Sequence, residues 1–305
     1  MTITIMPVTP GFAAEIADVD LARPLTAADE AAIMQAFADY ALLIFPEQTL
    51  TQEQQLRFAE YFGPLEHNLL SYNPDSEFRV NPALVDISNL TPGNEIWSPD
   101  SRMRQFYLGN QMWHTDSSFK YLPARASMLY AQSVAPIGGH TEFADMRAAY
   151  DSLPIAVQHR IAGLVAMHAL AYSRAKSGFT AFTEAERKHL PPVPQMLVRT
   201  LPESGRQSLY IAAHIGAIVD LDTAAAMALV EELMAHATQR QFLYVHRWRV
   251  RDLVLWDNRC TMHRGTPYDD LRYVREMHRA TVADVANTCE QARMGAAPAS
   301  VAARS

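Results

Sequence analysis

The 305-residue sequence has few cysteines and no long apolar segment. Only Cys260 and Cys289 are present, and two cysteines are too few for a disulfide-stabilised scaffold. No apolar run approaches the roughly 20 residues that a membrane-spanning helix needs. The opening residues, MTITIMPVTPGF, lack the basic and apolar regions of a signal peptide. These absences predict a cytoplasmic protein that does not insert into a membrane.

Positive charge is also scarce. The sequence has 26 Lys and Arg against 33 Asp and Glu, a net charge of −7, and no basic run of five or more. Since binding to a nucleic-acid backbone depends on cationic side chains, no nucleic-acid partner is expected. The hydrophobic fraction of 49% excludes general disorder. We expect a folded protein whose partner is a small anionic organic molecule. A homo-oligomer is compatible with this size, although no segment indicates an interface.

Short β-like segments dominate the chain from about residue 85 onward. Examples are ASMLYAQSVA (126–135), DLVLW (252–256) and RATVAD (279–284). Many short strands at this spacing are typical of a sandwich or barrel, not of a parallel βαβ array. The sequence therefore predicts a mainly β fold.

Helical patterns interrupt these segments. Thr51 with Gln54, and Thr183 with Glu186, are capping-box patterns that predict helix starts. A further helix is predicted at 222–237. We expect these helices to pack outside the sheets, as peripheral elements.

No linker divides the chain into two domains. Residues 1–287 are therefore predicted to form a single domain. Residues 288–305, rich in Ala, Ser and Gly, are predicted to be a flexible C-terminal tail. Within the domain, 91–110 is predicted to be a long loop that could cover a binding site.

A candidate metal site begins with His114-Thr115-Asp116. In extended backbone, residues i and i+2 point the same way, so both side chains could reach one ion. His140-Thr141-Glu142 is a rival pair with the same spacing. His263 follows an apolar strand in WDNRCTMHRG (256–265) and supplies a second imidazole. Two histidines and one carboxylate are typical of non-heme Fe(II) oxygenases.

Two other interpretations use the same residues. Zinc could bind the three ligands and activate water for hydrolysis, although no His-Glu-x-x-His helix or paired cysteines are present. The chain could also be a non-catalytic jelly-roll binding protein. A requirement for dioxygen distinguishes an oxygenase from both.

Two arginines follow His263 in the segment RYVREMHRATV. Arg275 and Arg279 are four residues apart, a spacing that places both side chains on one side of either a helix or a strand. A guanidinium can bind a carboxylate or sulfonate through two hydrogen bonds, so two arginines could hold two different acids. Surface ion pairs with Glu276 and Asp270 are the alternative.

Together these features resemble the taurine dioxygenase and 2,4-dichlorophenoxyacetate dioxygenase family of Fe(II)/2-oxoglutarate-dependent oxygenases. The matching segments are FGPLEH (62–67), VDISN (85–89), NQMWHTDSSF (110–119), GGHTEFADMRAAYDSLP (138–154), HATQRQFLYVHRWRVRDLVLWDNRCTMHRG (236–265) and REMHRAT (275–281). The SGR, IAAH and WDNRC segments indicate the phenoxyacetate branch. The taurine branch has a histidine where this chain has Asn68, beside His67.

The resemblance implies a double-stranded β-helix, or jelly-roll, core and an iron site. By this resemblance, His114, Asp116 and His263 hold Fe(II). Thr141 hydrogen-bonds the co-substrate 2-oxoglutarate, and Arg275 pairs with its distal carboxylate. Dioxygen is the other co-substrate.

The resemblance also implies how the substrate is held and changed. Arg279 receives the acidic group of the substrate, and Asn110 lies near the substrate. Hydroxylation next to the heteroatom would convert an aryloxyalkanoate to a phenol, with succinate and CO2 from 2-oxoglutarate. The alternative is a taurine-type sulfonate, which would release sulfite.

Overall fold

A computed structural model describes residues 3–66 and 77–296 of the chain. Within these residues, the strands are β1 (Thr4–Thr9), β2 (Ala13–Ala17), β3 (Leu42–Phe45), β4 (Val85–Asp86), β5 (Ala124–Ser133), β6 (Thr141–Asp145), β7 (Val165–His168), β8 (Val193–Met196), β9 (Val198–Thr200), β10 (Gln207–Leu209), β11 (Ile215–Ile218), β12 (Leu243–His246), β13 (Leu253–Asp257), β14 (Thr261–Gly265) and β15 (Glu276–Ala283). The helices are α1 (Ala27–Tyr40), α2 (Gln52–Glu60), α3 (Arg102–Leu108), α4 (Met146–Asp151), α5 (Ile155–Ile161), α6 (Leu170–Lys176), α7 (Glu184–His189), α8 (Thr223–Ala237) and α9 (Thr288–Ala296). None of the helices in this part of the chain has the length and apolar character needed to cross a membrane. His67 and Asn68 lie outside the described residues.

The largest sheet has seven strands. Their order is β1, β2, β3, β13, β5, β15, β4. Neighbouring strands pair antiparallel, except β2 and β3, which are parallel. A three-stranded sheet has the order β12, β6, β14, and two smaller sheets contain β11, β7, β8 and β10, β9.

Both faces of the seven-stranded sheet are buried at the central strands β3 and β13. Leu43 and Phe45 pack into a hydrophobic core that also contains residues of α1 and α2. Leu42 and Ile44 belong to a second core, which they share with Phe143 of β6. Because successive side chains of a strand point to opposite faces, helices cover one face and the three-stranded sheet covers the other.

The three-stranded sheet is itself buried on both sides around β6 and β14. Ala144 and Met262 are paired across these strands and pack into a third core with α4 and α8. Phe143 and His263 form the next pair and so point to the opposite face. The ring of His263 lies 4.8 Å from that of Trp256 on β13. His263 therefore points into the space between the two sheets.

Local capping signals place several helices correctly. Both predicted capping boxes form: Thr51 with Gln54 begins α2, and Thr183 with Glu186 begins α7. The helix predicted at 222–237 is α8, which begins one residue later because Asp222 is its N-cap. These signals succeed because each depends on residues three positions apart.

Two predictions about the fold need correction. Helices hold at least as many of the described residues as strands do, so the fold is mixed and not mainly β. The segment 91–110 is not one long loop, because it contains α3, capped by Ser101, and enters a 3₁₀ turn at Gly109–Gln111. The long connections between strands fold into helices, which satisfies their backbone hydrogen bonds.

The predicted flexible tail also begins too early. Residues Thr288–Ala296 form α9. The Thr288 hydroxyl donates to Gln195 Oε1 at 2.7 Å and accepts from the backbone N–H of Met196. These contacts with β8 fix the start of α9 at a position where composition predicts fraying. Residues 297–305 lie outside the described part of the chain.

Candidate active site

Backbone hydrogen bonds join two of the predicted metal ligands. His114 N donates to the carbonyl of His263 at 3.0 Å, and His263 N donates to the carbonyl of His114 at 2.7 Å. This reciprocal pair is an antiparallel bridge between β14 and the segment after the 3₁₀ turn. The two rings are 4.3 Å apart. Strand pairing thus brings together two histidines that are far apart in the sequence.

Asp116 completes the cluster. One potential ligand atom from each of His114, Asp116 and His263 lies within 4.8 Å of the other two. Ser127 on β5 donates to Asp116 Oδ2 at 2.7 Å, and the side-chain oxygen of Asn258 accepts from Asp116 N at 3.2 Å. The carboxylate is therefore oriented by groups from two other parts of the chain.

The charge states of the three side chains fit a divalent metal. Met112 O accepts from His114 Nδ1 at 2.7 Å, which leaves the Nε2 lone pair 4.0 Å from Asp116 Oδ1. Burial lowers the pKa of His114 to about 4 and of His263 to about 3, so both rings are neutral. Burial by itself would raise the pKa of Asp116, but the positive charge of Arg279 and the hydrogen bond from Ser127 lower this pKa below its ordinary value, so the carboxyl is ionised. Two neutral imidazoles and one carboxylate are the donor set of a facial triad.

Arg279 lies directly against this cluster. It is on β15, and its Nη1 contacts Asp116 Oδ1. Its Nε is buried and has no hydrogen-bond partner among the described residues. The predicted substrate-binding arginine is thus adjacent to the candidate metal ligands and still has donor capacity.

Thr141 lies beside β14 on the neighbouring strand. It pairs with Gly265, two residues after His263. The indole N–H of Trp248 donates to Thr141 Oγ at 2.9 Å. Because this bond uses the hydroxyl as an acceptor, the hydroxyl hydrogen remains available to an acceptor elsewhere.

Arg275 is enclosed one residue before β15. Its Nε donates to the carbonyl of Gly139 at 3.0 Å, and its backbone N donates to Asn89 Oδ1. Gly139 has φ +65°, and a Cβ at this position would lie 3.2 Å from Arg275 Cδ. Burial lowers the pKa of Arg275 to about 10. The two predicted arginines therefore contact different groups: Arg275 contacts Gly139, and Arg279 contacts Asp116.

A pocket opens beside the candidate ligands. Its lining includes the aromatic rings of Phe106, Tyr107 and Phe119. Phe106 and Tyr107 belong to α3, in the segment predicted to be a long loop. The pocket thus combines a largely apolar wall with the charged groups around Asp116.

Four predicted site residues line this pocket, namely Asn110, His114, Asp116 and Arg279. Thr141, Arg275 and His263 are not part of its lining. The structure therefore places the predicted substrate-binding residues in the pocket with two of the three candidate ligands. The predicted 2-oxoglutarate-binding residues lie outside the lining, near β14 and β15.

Three charged residues and one histidine of the lining were not predicted from the sequence. Glu66, Lys120, Arg174 and His214 line the pocket together with the predicted residues. His214 belongs to the IAAH segment, but its ring position, 5.9 Å from that of His114, could not be read from that motif. Arg174 carries no local signal, because α6 reaches the pocket only through the tertiary fold.

Known proteins resemble the chain in sequence over most of its length. The sequence profile of the taurine catabolism dioxygenase TauD, TfdA family matches residues 4–281. The chain is 44% identical over 284 residues to the alpha-ketoglutarate-dependent 2,4-dichlorophenoxyacetate dioxygenase of Cupriavidus pinatubonensis, a match that covers 93% of this chain and 99% of that protein. It is 38% identical over 274 residues to the (S)-phenoxypropionate/alpha-ketoglutarate-dioxygenase of Sphingobium herbicidovorans, covering 87% and 90% of the two chains.

A solved structure resembles the fold as well. The crystal structure of AAD-2 in complex with Mn(II) and N-oxalylglycine superposes with a TM-score of 0.86 at 43% sequence identity. The match covers 94% of this chain and 99% of that one. The similarity therefore extends over the whole pocket region and not only over the metal-ligand motif.

Proposed function

The chain belongs to the taurine catabolism dioxygenase TauD, TfdA family, and we propose that it hydroxylates an aryloxyalkanoate at the carbon next to the ether oxygen. The chain is a 2-oxoglutarate-dependent dioxygenase that uses iron and dioxygen. Bound iron, 2-oxoglutarate and dioxygen together supply the oxidising equivalent and yield succinate and CO2. The hydroxylated ether would then break down to a phenol and an oxoacid.

His114, Asp116 and His263 would hold the iron. The clustering of their ligand atoms within 4.8 Å and the two neutral rings support this assignment. Ser127 would keep the carboxylate oriented through its 2.7 Å hydrogen bond. Three protein ligands leave coordination positions open for a co-substrate.

Thr141 and Arg275 would bind 2-oxoglutarate. The hydroxyl hydrogen of Thr141 is left free by its bond with Trp248 and can be donated to an oxygen of the co-substrate. Arg275 presents a buried guanidinium whose Nε is fixed on Gly139 O. Such a fixed guanidinium is suited to a carboxylate, because little side-chain freedom is lost on binding.

The pocket would hold the substrate. Arg279 would pair with its acidic group, with the amide of Asn110 nearby. Phe106, Tyr107 and Phe119 would pack against its aryl ring. This combination of a cation beside the metal ligands and an aromatic wall is the observation that carries the aryloxyalkanoate proposal.

We further infer a double-stranded β-helix core, supported by the likeness to AAD-2 and by the packing of the three-stranded sheet on the seven-stranded sheet. A cytoplasmic location and a homo-oligomeric assembly stay predictions.

Succinate release tests the proposal. The Fe(II)-loaded protein would be incubated with 2-oxoglutarate, dioxygen and either phenoxyacetate, the two 2-phenoxypropionate enantiomers, taurine or an alkyl sulfonate. We expect release of succinate and phenol with an aryloxyalkanoate and little with taurine. Release with a sulfonate alone would contradict the proposed substrate class. An anaerobic control separates oxygenation from hydrolysis, because only oxygenation consumes dioxygen.

A further inference from the structure

The pocket contains a buried arginine that has no carboxylate partner among the described residues. Arg174 on α6 is 5% exposed and lines the pocket. Its Nη2 donates to Asn110 Oδ1 at 2.8 Å. Its Nε and Nη1 are buried, and neither has a hydrogen-bond partner among the described residues. A buried cation with unsatisfied donors is costly unless a bound group compensates it.

The other charges of the pocket are already paired. Lys120 contacts Glu66, and Arg279 contacts Asp116. Among the described residues that line the pocket, Arg174 is the remaining cation and forms no ion pair. One unmatched positive charge corresponds to a ligand that carries one negative charge.

The fold makes room for this guanidinium at one specific position. Gly109 lies at the end of α3, and a Cβ there would be 2.4 Å from Arg174 Nη1. On its other side, the guanidinium lies 4.6 Å from the centre of the Phe106 ring. Arg174 is therefore held between Gly109 and an aromatic side chain of the pocket wall.

We propose that Arg174 binds the acidic group of the substrate, together with Arg279. This inference rests on the proposed function, in which the substrate is a small monoanionic acid. Arg174 supplies the charge that the two ion pairs of the pocket leave unmatched. Its Nε and Nη1 become donors to the substrate carboxylate.

The contact with Asn110 adds to this role. Because Asn110 Oδ1 accepts from Arg174, its side-chain N–H groups are turned away from the arginine. The structure gives the Asn110 amide nitrogen no hydrogen-bond partner among the described residues. Arg174 thus also orients Asn110, the residue predicted to lie near the substrate.

A second arginine of the same aromatic cluster provides a matched control. Arg102 lies 5.3 Å from the centre of the Phe179 ring, which packs against Phe106. Unlike Arg174, it binds the carboxylate of Glu186 and is half-exposed. Arg102 is not part of the pocket lining. Its replacement therefore removes an arginine–aromatic contact without removing a charge from the pocket.

The test is calorimetric titration of the anaerobic protein loaded with Fe(II) and 2-oxoglutarate. Phenoxyacetate and its uncharged analogue phenoxyacetamide would be titrated into the wild type and four variants: Arg174→Gln, Arg174→Lys, Gly109→Ala and Arg102→Gln. Arg174→Gln is expected to raise the Kd of phenoxyacetate about 10- to 100-fold, as for loss of a hydrogen bond to a charged group. The Kd of phenoxyacetamide should change less than about twofold, a difference too small for a lost charged hydrogen bond.

The remaining variants separate charge from packing. Arg174→Lys should recover part of the affinity for the acid, because the charge is retained. Gly109→Ala should weaken acid binding although Arg174 is still present, because the added Cβ would displace the guanidinium. This variant provides the test if Arg174→Gln does not fold. Arg102→Gln should leave both constants unchanged.

Two results would overturn the assignment of Arg174. One is an equal loss of affinity for the acid and the amide, which would indicate packing alone. The other is unchanged acid affinity in both Arg174→Gln and Gly109→Ala. If the wild type binds neither compound, the proposed function itself is wrong and the assignment of Arg174 is refuted with it.

Discussion

The candidate metal ligands and the aromatic wall of the pocket are anchored in different ways. Reciprocal backbone hydrogen bonds join His114 to His263, and His263 lies on β14, a strand that packs into the protein core. Phe106 and Arg174 come from two short helices, α3 and α6, in the connections between strands, and their contact is between side chains. Backbone pairing tolerates changes of side chain, whereas side-chain packing does not. In the proposed function, the sheets therefore hold the metal ligands and Arg279, and the inserted helices supply Arg174 and the aromatic wall that contacts the aryl ring.

The largest expected loss of activity follows replacement of a candidate metal ligand. Asp116→Ala should abolish iron-dependent turnover, because one of three metal ligands is lost while its surroundings stay packed. Iron content and succinate release are the measurements, with circular dichroism to show that the fold is retained. Glu142→Ala is the matched control, since Glu142 belongs to the rival His-x-Glu pair but binds Arg264 at 2.6 Å. Normal turnover by Asp116→Ala would show that Asp116 is not a metal ligand.

A smaller effect is expected at the co-substrate arginine. Arg275→Gln should raise the KM for 2-oxoglutarate about 10- to 100-fold, because a charged hydrogen-bonding group is lost. The KM for the aryloxyalkanoate should change much less. Steady-state kinetics with each substrate varied in turn would show this. Equal increases in both constants would mean that Arg275 does not distinguish the two acids.

A still smaller change in KM is expected from a replacement in the aromatic wall of the pocket. Phe106→Ala should raise the KM for phenoxyacetate by a few-fold up to about tenfold, as expected for the loss of one aromatic contact. The KM for 2-oxoglutarate should stay the same. Phe182→Ala is the control, because Phe182 packs on Phe106 but does not line the pocket. A changed KM for 2-oxoglutarate in Phe106→Ala would show that the two regions are not separable.

The smallest effect on activity is expected from a buried histidine that does not line the pocket. His168 on β7 contacts the Ser118 hydroxyl at 3.0 Å, and burial lowers its pKa to about 3. An unfolded histidine has a pKa of about 6.5, so below that pH the unfolded state takes up a proton that the folded state does not. The free energy of unfolding should therefore fall as the pH drops from about 6.5 towards about 3, by about 2 kcal/mol at pH 5 from this residue.

Urea unfolding at pH 7 and pH 5 checks this sign. His168→Gln should lose less stability than the wild type between the two pH values. It should not abolish the loss, because burial also keeps His114 and His263 neutral. An identical loss in the variant would mean that His168 does not contribute to the acid sensitivity.

Predictions from the sequence were most accurate where the signal is local. Thr51 and Thr183 were identified as helix caps because a cap needs only a neighbour three residues away. His114 and Asp116 were paired for the same reason, since extended backbone places residues i and i+2 on one side. Thr288 shows the opposite case, because the contacts that order α9 come from β8, about 90 residues earlier in the chain.

By itself, the sequence determined the three metal-ligand candidates, the two arginines after His263 and the family to which the chain belongs. These depend on residue type and short spacing, which a linear pattern records. Only the tertiary structure decided that Arg279 contacts Asp116, that Trp248 donates to Thr141 and that Arg174 lines the pocket without an ion pair to any described residue. Each of these depends on how distant segments pack against one another. Such contacts exist only after the sheets pair and α3 and α6 pack together, because folding alone sets the distance between side chains that no local pattern connects.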